Sequence, residues 1–75
     1  MSESRVYKRT FIAGMELNEG DPIEIGLGRQ RIVGTFKGFD RFLFAFVVET
    51  DGGEIIIPYK SLKYIIKRTR KDEAS

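Results

Sequence analysis

The run from Pro22 to Phe44, PIEIGLGRQRIVGTFKGFDRFLF, constrains this chain more than any other part of it. Ile23, Ile25 and Leu27 alternate with Glu24 and Gly26, the pattern of a strand with one buried face. Gly28 to Gln30 makes a hairpin turn, after which Ile32, Gly34 and Phe36 alternate with Val33, Thr35 and Lys37. A glycine inside a strand marks a sharp bend or a close backbone approach. A bend at Gly34 lets one strand serve both halves of a strongly curved antiparallel sheet. A small barrel is the simplest completion of such a sheet.

The rest of the chain extends this pattern. Phe42 to Thr50 is the most apolar stretch and is expected to be a central strand. Asp51-Gly52-Gly53 signals a hairpin, and Glu54 to Ile57 forms the next strand. Pro58 cannot donate to a ladder, so the strand ends there or lies at an edge. Tyr59-Lys60-Ser61 is a tight connection to a last strand, Leu62 to Lys67. Upstream, Asn18 to Pro22 is a turn cluster. Tyr7, Phe11, Ile12 and Met15 recur at helical spacing, which predicts a short N-terminal helix over Val6 to Ala13 with Gly14 near its end. The β-branched and aromatic residues of that segment also permit a strand. The expected organisation is a disordered N-terminus over 1–5, one domain over 6–67 and a basic polar tail over 68–75. The expected fold is mostly β: a five-stranded, strongly bent antiparallel barrel, SH3-like or OB-like, preceded by a short helix.

A chain of 75 residues has a marginal core unless something reinforces it. Cysteine and histidine are both absent, which removes disulfides, thiolate metal sites, cysteine nucleophiles and imidazole-dependent triads. Association of copies is the usual remaining route, and two exposed sheet edges invite it. The apolar strands Phe42–Val48 and Leu62–Ile66 are the expected pairing regions, and a fixed rotation between copies closes a ring. No phosphate-cradling glycine loop precedes a helix and no carboxylate pair is evident, so no enzyme activity, metal or cofactor is expected. The net charge is only +2, but Lys60, Lys63, Lys67, Arg68, Arg70 and Lys71 form an acid-free basic block. Such a block is either a solvated tail or a salt-dependent attractor of a polyanion. No secretory signal is visible, and the longest apolar run is far shorter than the roughly 20 residues that span a bilayer. A cytoplasmic protein without membrane contact is expected.

Ile23-x-Ile25-x-Leu27, Ile32-x-Gly34-x-Phe36, Phe39-Asp40-x-Phe42 and Tyr59-Lys60-x-x-x-x-Ile65, taken in order, resemble the Sm-like family, and within it the bacterial Hfq branch. Phe44 stands where the archaeal and eukaryotic Sm branch commonly has Asn, and Tyr59-Lys60 stands where that branch favours Arg-Gly. The resemblance covers residues 21–67. It implies a homo-oligomeric ring of about five to seven subunits that binds single-stranded, U-rich RNA and acts as an RNA chaperone or post-transcriptional regulator. It implies a pore-face set of Arg41, Phe42, Tyr59, Lys60 and Ser61, with the aromatic at Phe42 stacking a base. Two of these depart from the family, which usually has Gln at the place of Arg41 and His at the place of Ser61. A cation there strengthens phosphate attraction and weakens uracil discrimination. The family's A-rich second face matches Ile25, Arg29 and Gln30, without its aromatic; Arg29, Gln30 and Arg31 remain possible second-face phosphate contacts.

The residues themselves support part of this. An exposed aromatic beside a cation at the end of a turn makes a stacking platform with a phosphate partner. The competing readings are a core aromatic at Phe42, an ordinary surface lysine at Lys60 and a solvated cation at Arg41. Asp40 is expected to accept backbone N–H groups of its own turn, as Asx residues do. Two other functions fit the same small barrel: a monomeric protein-interaction scaffold, and a binder of single-stranded DNA that does not read the 2′-hydroxyl.

Overall fold

A computed structural model describes residues 5–68. In chain order its strands are β1 (Val6–Tyr7), β2 (Arg9–Ile12), β3 (Met15–Asn18), β4 (Pro22–Leu27), β5 (Gln30–Asp40), β6 (Ala45–Thr50), β7 (Gly53–Pro58) and β8 (Tyr64–Lys67). A single 3₁₀ turn, Tyr59–Ser61, joins the last two. The main antiparallel sheet runs β7-β6-β5-β4-β8, and β2 and β3 form a separate hairpin.

The eleven-residue strand β5 is the spine. Its first half pairs β4, from Leu27↔Gln30 to Pro22↔Thr35. Its second half pairs β6, from Thr35↔Glu49 to Asp40↔Ala45, with a register shift between Phe36 and Gly38. One strand therefore serves both halves of the sheet, as the alternation around Gly34 predicts. The bulge itself lies just beyond Gly34. At Gly34 the backbones come close: a Cβ there would sit 2.5 Å from the Glu49 carbonyl oxygen. Bulges bend a strand and sharpen its twist, which wraps the inner face around a core.

That core is Leu17, Ile23, Ile25, Phe36, Phe39, Phe46, Val48 and Ile57, with Ile12, Met15, Leu27, Ile32, Ile55, Leu62 and Ile65 packed against it. These are the inward members of the alternating runs, and the bulge between Phe36 and Gly38 resets the period of two so that Phe36 and Phe39 both face inward.

The N-terminal segment is extended rather than helical, which corrects the expected helix over Val6 to Ala13. Val6, Tyr7, Thr10, Phe11 and Ile12 lose side-chain freedom in a helix and suit a pleated surface. Ala13 and Gly14 take φ of 53° and 79°, so the β2–β3 turn has the left-handed geometry that matches strand twist. The register Thr10↔Leu17 and Ile12↔Met15 puts these four on the core side and leaves Phe11 two-thirds exposed. β1 instead docks on the far end of β5, with Val6 opposite Asp40 and Tyr7 opposite Phe39.

Two further expectations change. The strand predicted from Phe42 begins at Ala45, because residues 41–44 form a turn and Phe44 takes a φ of 56°. β6 is hydrogen-bonded on both sides, to β5 and β7, so Phe42–Val48 is not a pairing edge. The outer strands are β7 and β8, and the sheet is antiparallel but not closed by bonds between them. The predicted edge Leu62–Ile66 does include most of β8. Among the described residues no helix is long and apolar enough to cross a membrane. The tail residues Arg70 and Lys71 lie outside the described residues.

Candidate nucleic-acid interface

Asp40 organises the turn that carries Arg41 and Phe42. It ends β5 and is only 4% exposed. One carboxylate oxygen, Oδ1, accepts the N–H of Phe42 at 2.9 Å and of Leu43 at 3.1 Å. The other, Oδ2, accepts Arg5 Nε at 3.1 Å. Burial pushes the Asp40 carboxyl up, but the Leu43 N–H, the Arg5 guanidinium and the Phe42 N–H together outweigh it and hold the group below the ordinary aspartate value. The turn is therefore pinned by an ionised side chain. Its tip is turned to solvent, and the Phe42 ring is 76% exposed. Phe42 is thus not a core aromatic.

β1 braces both tip residues. The Arg5 guanidinium lies 5.1 Å from the centre of the Phe42 ring. Arg41 Nη1 donates to the Tyr7 hydroxyl at 3.0 Å, and its guanidinium lies 5.5 Å from the Tyr7 ring centre. Arg41 is therefore held on a tyrosine rather than simply solvated. Arg5 and Tyr7 were not legible as site residues, because their partners stand more than thirty positions away. The lone aspartate in an apolar run was the available signal, since a buried carboxylate needs donors.

The second group of pore-face residues comes from the 3₁₀ turn. The Tyr59 N–H donates to the Phe44 carbonyl at 3.0 Å, and the two rings meet edge-on at 5.3 Å. Phe44 in turn meets Phe39 at 5.3 Å, and Phe39 meets Phe46 at 5.1 Å. A chain of aromatic edges thus runs from the core out to Tyr59. Lys60 and Ser61 are exposed on the same turn. Lys60 lines an open groove with Tyr59, Leu62, Tyr64 and the hairpin tip Ile12–Ala13. The structure joins Tyr59 to the Arg41–Phe44 turn through Phe44, while Lys60 lines the groove beside it and Ser61 is exposed on the same 3₁₀ turn without lining that groove.

Arg29, Gln30 and Arg31 lie at the other end of β5, all exposed. Ile25 is wholly buried, so no side chain at that position reaches a ligand. Arg31 Nε is 3.9 Å from Glu24 Oε2, and the same oxygen accepts the Tyr64 hydroxyl at 2.8 Å. That bond to the carboxylate is the main reason the Tyr64 hydroxyl pKa lies above its ordinary value. Arg68 Nη1 reaches Glu24 Oε1 at 3.4 Å. Tyr64 and Glu24 form a cluster that sequence reasoning missed.

No protein-family model, no curated protein and no solved structure matches the chain.

Proposed function

We propose that this protein is a homo-oligomeric, Sm-like ring that binds single-stranded, U-rich RNA, with Arg41, Phe42, Tyr59, Lys60 and Ser61 on the binding face. The observation that carries the reading is the Phe42 ring, 76% exposed on a turn whose backbone is locked by a buried aspartate. Phe42, Leu43 and Phe44 are exposed together on that turn, and a contiguous apolar patch of this kind marks a binding surface. Stacking of a base contributes about 1–3 kcal/mol, and the cations Arg5 and Arg41 beside it offer phosphate partners. The strand order β7-β6-β5-β4-β8, with a 3₁₀ turn before the last strand, supports the Sm-like reading of the fold. RNA chaperone or post-transcriptional regulation follows from a ring that concentrates several weak sites on one strand.

Assembly runs through β7 of one copy and β8 of the next. Each has one side outside the sheet's ladder, and each exposes an isoleucine, Ile56 and Ile66, by about half. Antiparallel pairing that sets Ile56 opposite Ile66 brings the two half-exposed isoleucines together across the seam. Such a head-to-tail contact closes a ring when the rotation permits.

Light scattering and fluorescence anisotropy test this together. The expected result is a mass several times 8.6 kDa and salt-dependent binding of labelled oligouridylate. A monomer that binds no oligonucleotide favours the protein-scaffold reading instead. Equal affinity for ribo- and deoxyribo-oligomers favours single-stranded DNA, since only contact with the 2′-hydroxyl separates the two.

A further inference from the structure

Tyr64 and Gly26 are directly opposite each other on β8 and β4. A Cβ at position 26 would lie 2.0 Å from Tyr64 Cε2 and 2.4 Å from Cδ2. The tyrosine ring therefore lies across the bare backbone of β4, in the space that a side chain would take. Its hydroxyl is tied to Glu24, two residues along the same strand, at 2.8 Å. The ring is laid over Gly26, is tied at its hydroxyl and is still 42% exposed. Gly26 is also opposite Arg31 on β5, so Tyr64, Gly26 and Arg31 stand in one row across three strands. Glu24, whose side chain is 14% exposed, meets Arg31 at 3.9 Å and Arg68 at 3.4 Å. One carboxylate against two guanidiniums leaves the cluster a net positive charge. Neither arginine is buried: their side chains are 67% and 48% exposed.

We infer that Tyr64 is a second nucleobase-stacking site for single-stranded RNA, on the outer face of the sheet. This rests on the RNA-binding reading but uses none of its Arg41–Phe44 turn. A flat ring offers a π-face to any base, and its fixed orientation reduces the entropy lost when a base stacks on it. Arg31 and Arg68 both reach Glu24, the carboxylate that holds the ring's hydroxyl, and their exposed guanidiniums match the charge of a bound strand's phosphates. Glu24 orients the platform and is not itself a contact: its two oxygens are taken up by Tyr64, Arg31 and Arg68. The Tyr64 hydroxyl is likewise committed to Glu24, so the site reads the base by its face and discriminates little among bases.

The test uses the full chain, a labelled unstructured oligoribonucleotide and four variants. Tyr64→Leu keeps an apolar cover over Gly26 but removes the ring face, whereas Tyr64→Phe keeps the face and removes only the bond to Glu24. Tyr64→Leu is expected to weaken binding about 5- to 150-fold, the range for loss of one stacked base. Tyr64→Phe is expected to retain most of the affinity, whatever either change does to melting temperature. With an oligoribonucleotide long enough to engage both platforms at once, the double variant Phe42→Ala with Tyr64→Leu is expected to show the two losses multiplied, because the two contacts then contribute to one binding free energy. If Phe42→Ala weakens binding and Tyr64→Leu does not, the second site is refuted while the RNA reading stands, and Tyr64 serves only to cover Gly26. If the unaltered chain binds no RNA at low salt, both are refuted.

Discussion

Gly34→Ala should destabilise this fold out of proportion to the single methyl group it adds. The new Cβ would sit 2.5 Å from the Glu49 carbonyl oxygen, 2.8 Å from Val48 Cγ1 and 3.3 Å from the Glu49 carbonyl carbon. Two of these three atoms are backbone, and that backbone has little room to move. Glu49 pairs Thr35 on β5 and Glu54 on β7, and Val48 pairs Phe36 and Ile55. Relief of the contact requires β6 to leave one ladder or the other, beside the wholly buried Phe36, Phe46 and Val48. Overpacking of this kind costs about 1–3 kcal/mol. Alanine also restricts the unfolded chain, which offsets about 0.4–1 kcal/mol. The midpoints of these ranges leave a net loss of about 1.3 kcal/mol, which lowers the melting temperature of a domain this size by about 5–10 °C. Gly26→Ala is the informative comparison. Its Cβ would approach closer still, at 2.0 Å, but to the half-exposed ring of Tyr64. That ring can swing aside at the cost of one hydrogen bond, worth about 0.5–1.5 kcal/mol. Thermal unfolding followed by circular dichroism, at one fixed protein concentration, should rank Gly34→Ala as the less stable. A Gly34→Ala variant that melts at or above the parent, or a Gly26→Ala variant that is the more damaged, would refute the close backbone approach as the cause.

Three further outcomes follow from the same geometry. Phe42→Ala should leave the melting temperature nearly unchanged, since the ring is largely in solvent, yet weaken oligouridylate binding about 5- to 150-fold in anisotropy titrations. Unchanged affinity removes Phe42 from the site. Asp40 has a lowered folded-state pKa, so its stabilisation is complete above the ordinary aspartate value and is lost as pH falls through the lower folded value. Asp40→Asn should lose stability at neutral pH and show a shallower decline on acidification; an acid limb identical to the parent's would mean that the turn does not depend on this charge. Ile56→Lys places a charge on the outer strand β7 at a site already 54% exposed, so the monomer should fold while the light-scattering mass falls. An unchanged mass rules out assembly through β7.

The hairpins of the C-terminal two-thirds were legible because their signals are local. Gly28 and Asp51-Gly52-Gly53 announce tight turns, and the runs between them alternate with a period of two, so β4, β5 and β7 lie close to their predicted positions. Asp40 was legible for the same reason: its partners Phe42 and Leu43 are two and three residues away. The N-terminus was not legible. Tyr7, Phe11 and Met15 recur with a helical period, but the same residues suit strands, and no local interaction separates the two. Docking decided it: Val6 and Tyr7 pair with Asp40 and Phe39, and Leu17, with Ile12 and Met15 against it, joins the core.

By itself, then, the sequence determined which segments pleat, where they turn and which faces are apolar, since each depends on neighbours within a few residues. Only the tertiary structure decided which strands lie outermost, that Arg5 and Tyr7 brace the Arg41–Phe42 tip, and that Tyr64 lies on Gly26. Those contacts join residues about 35 to 40 positions apart. A pattern of nearest neighbours carries no information about pairings that exist only once the chain has closed on itself.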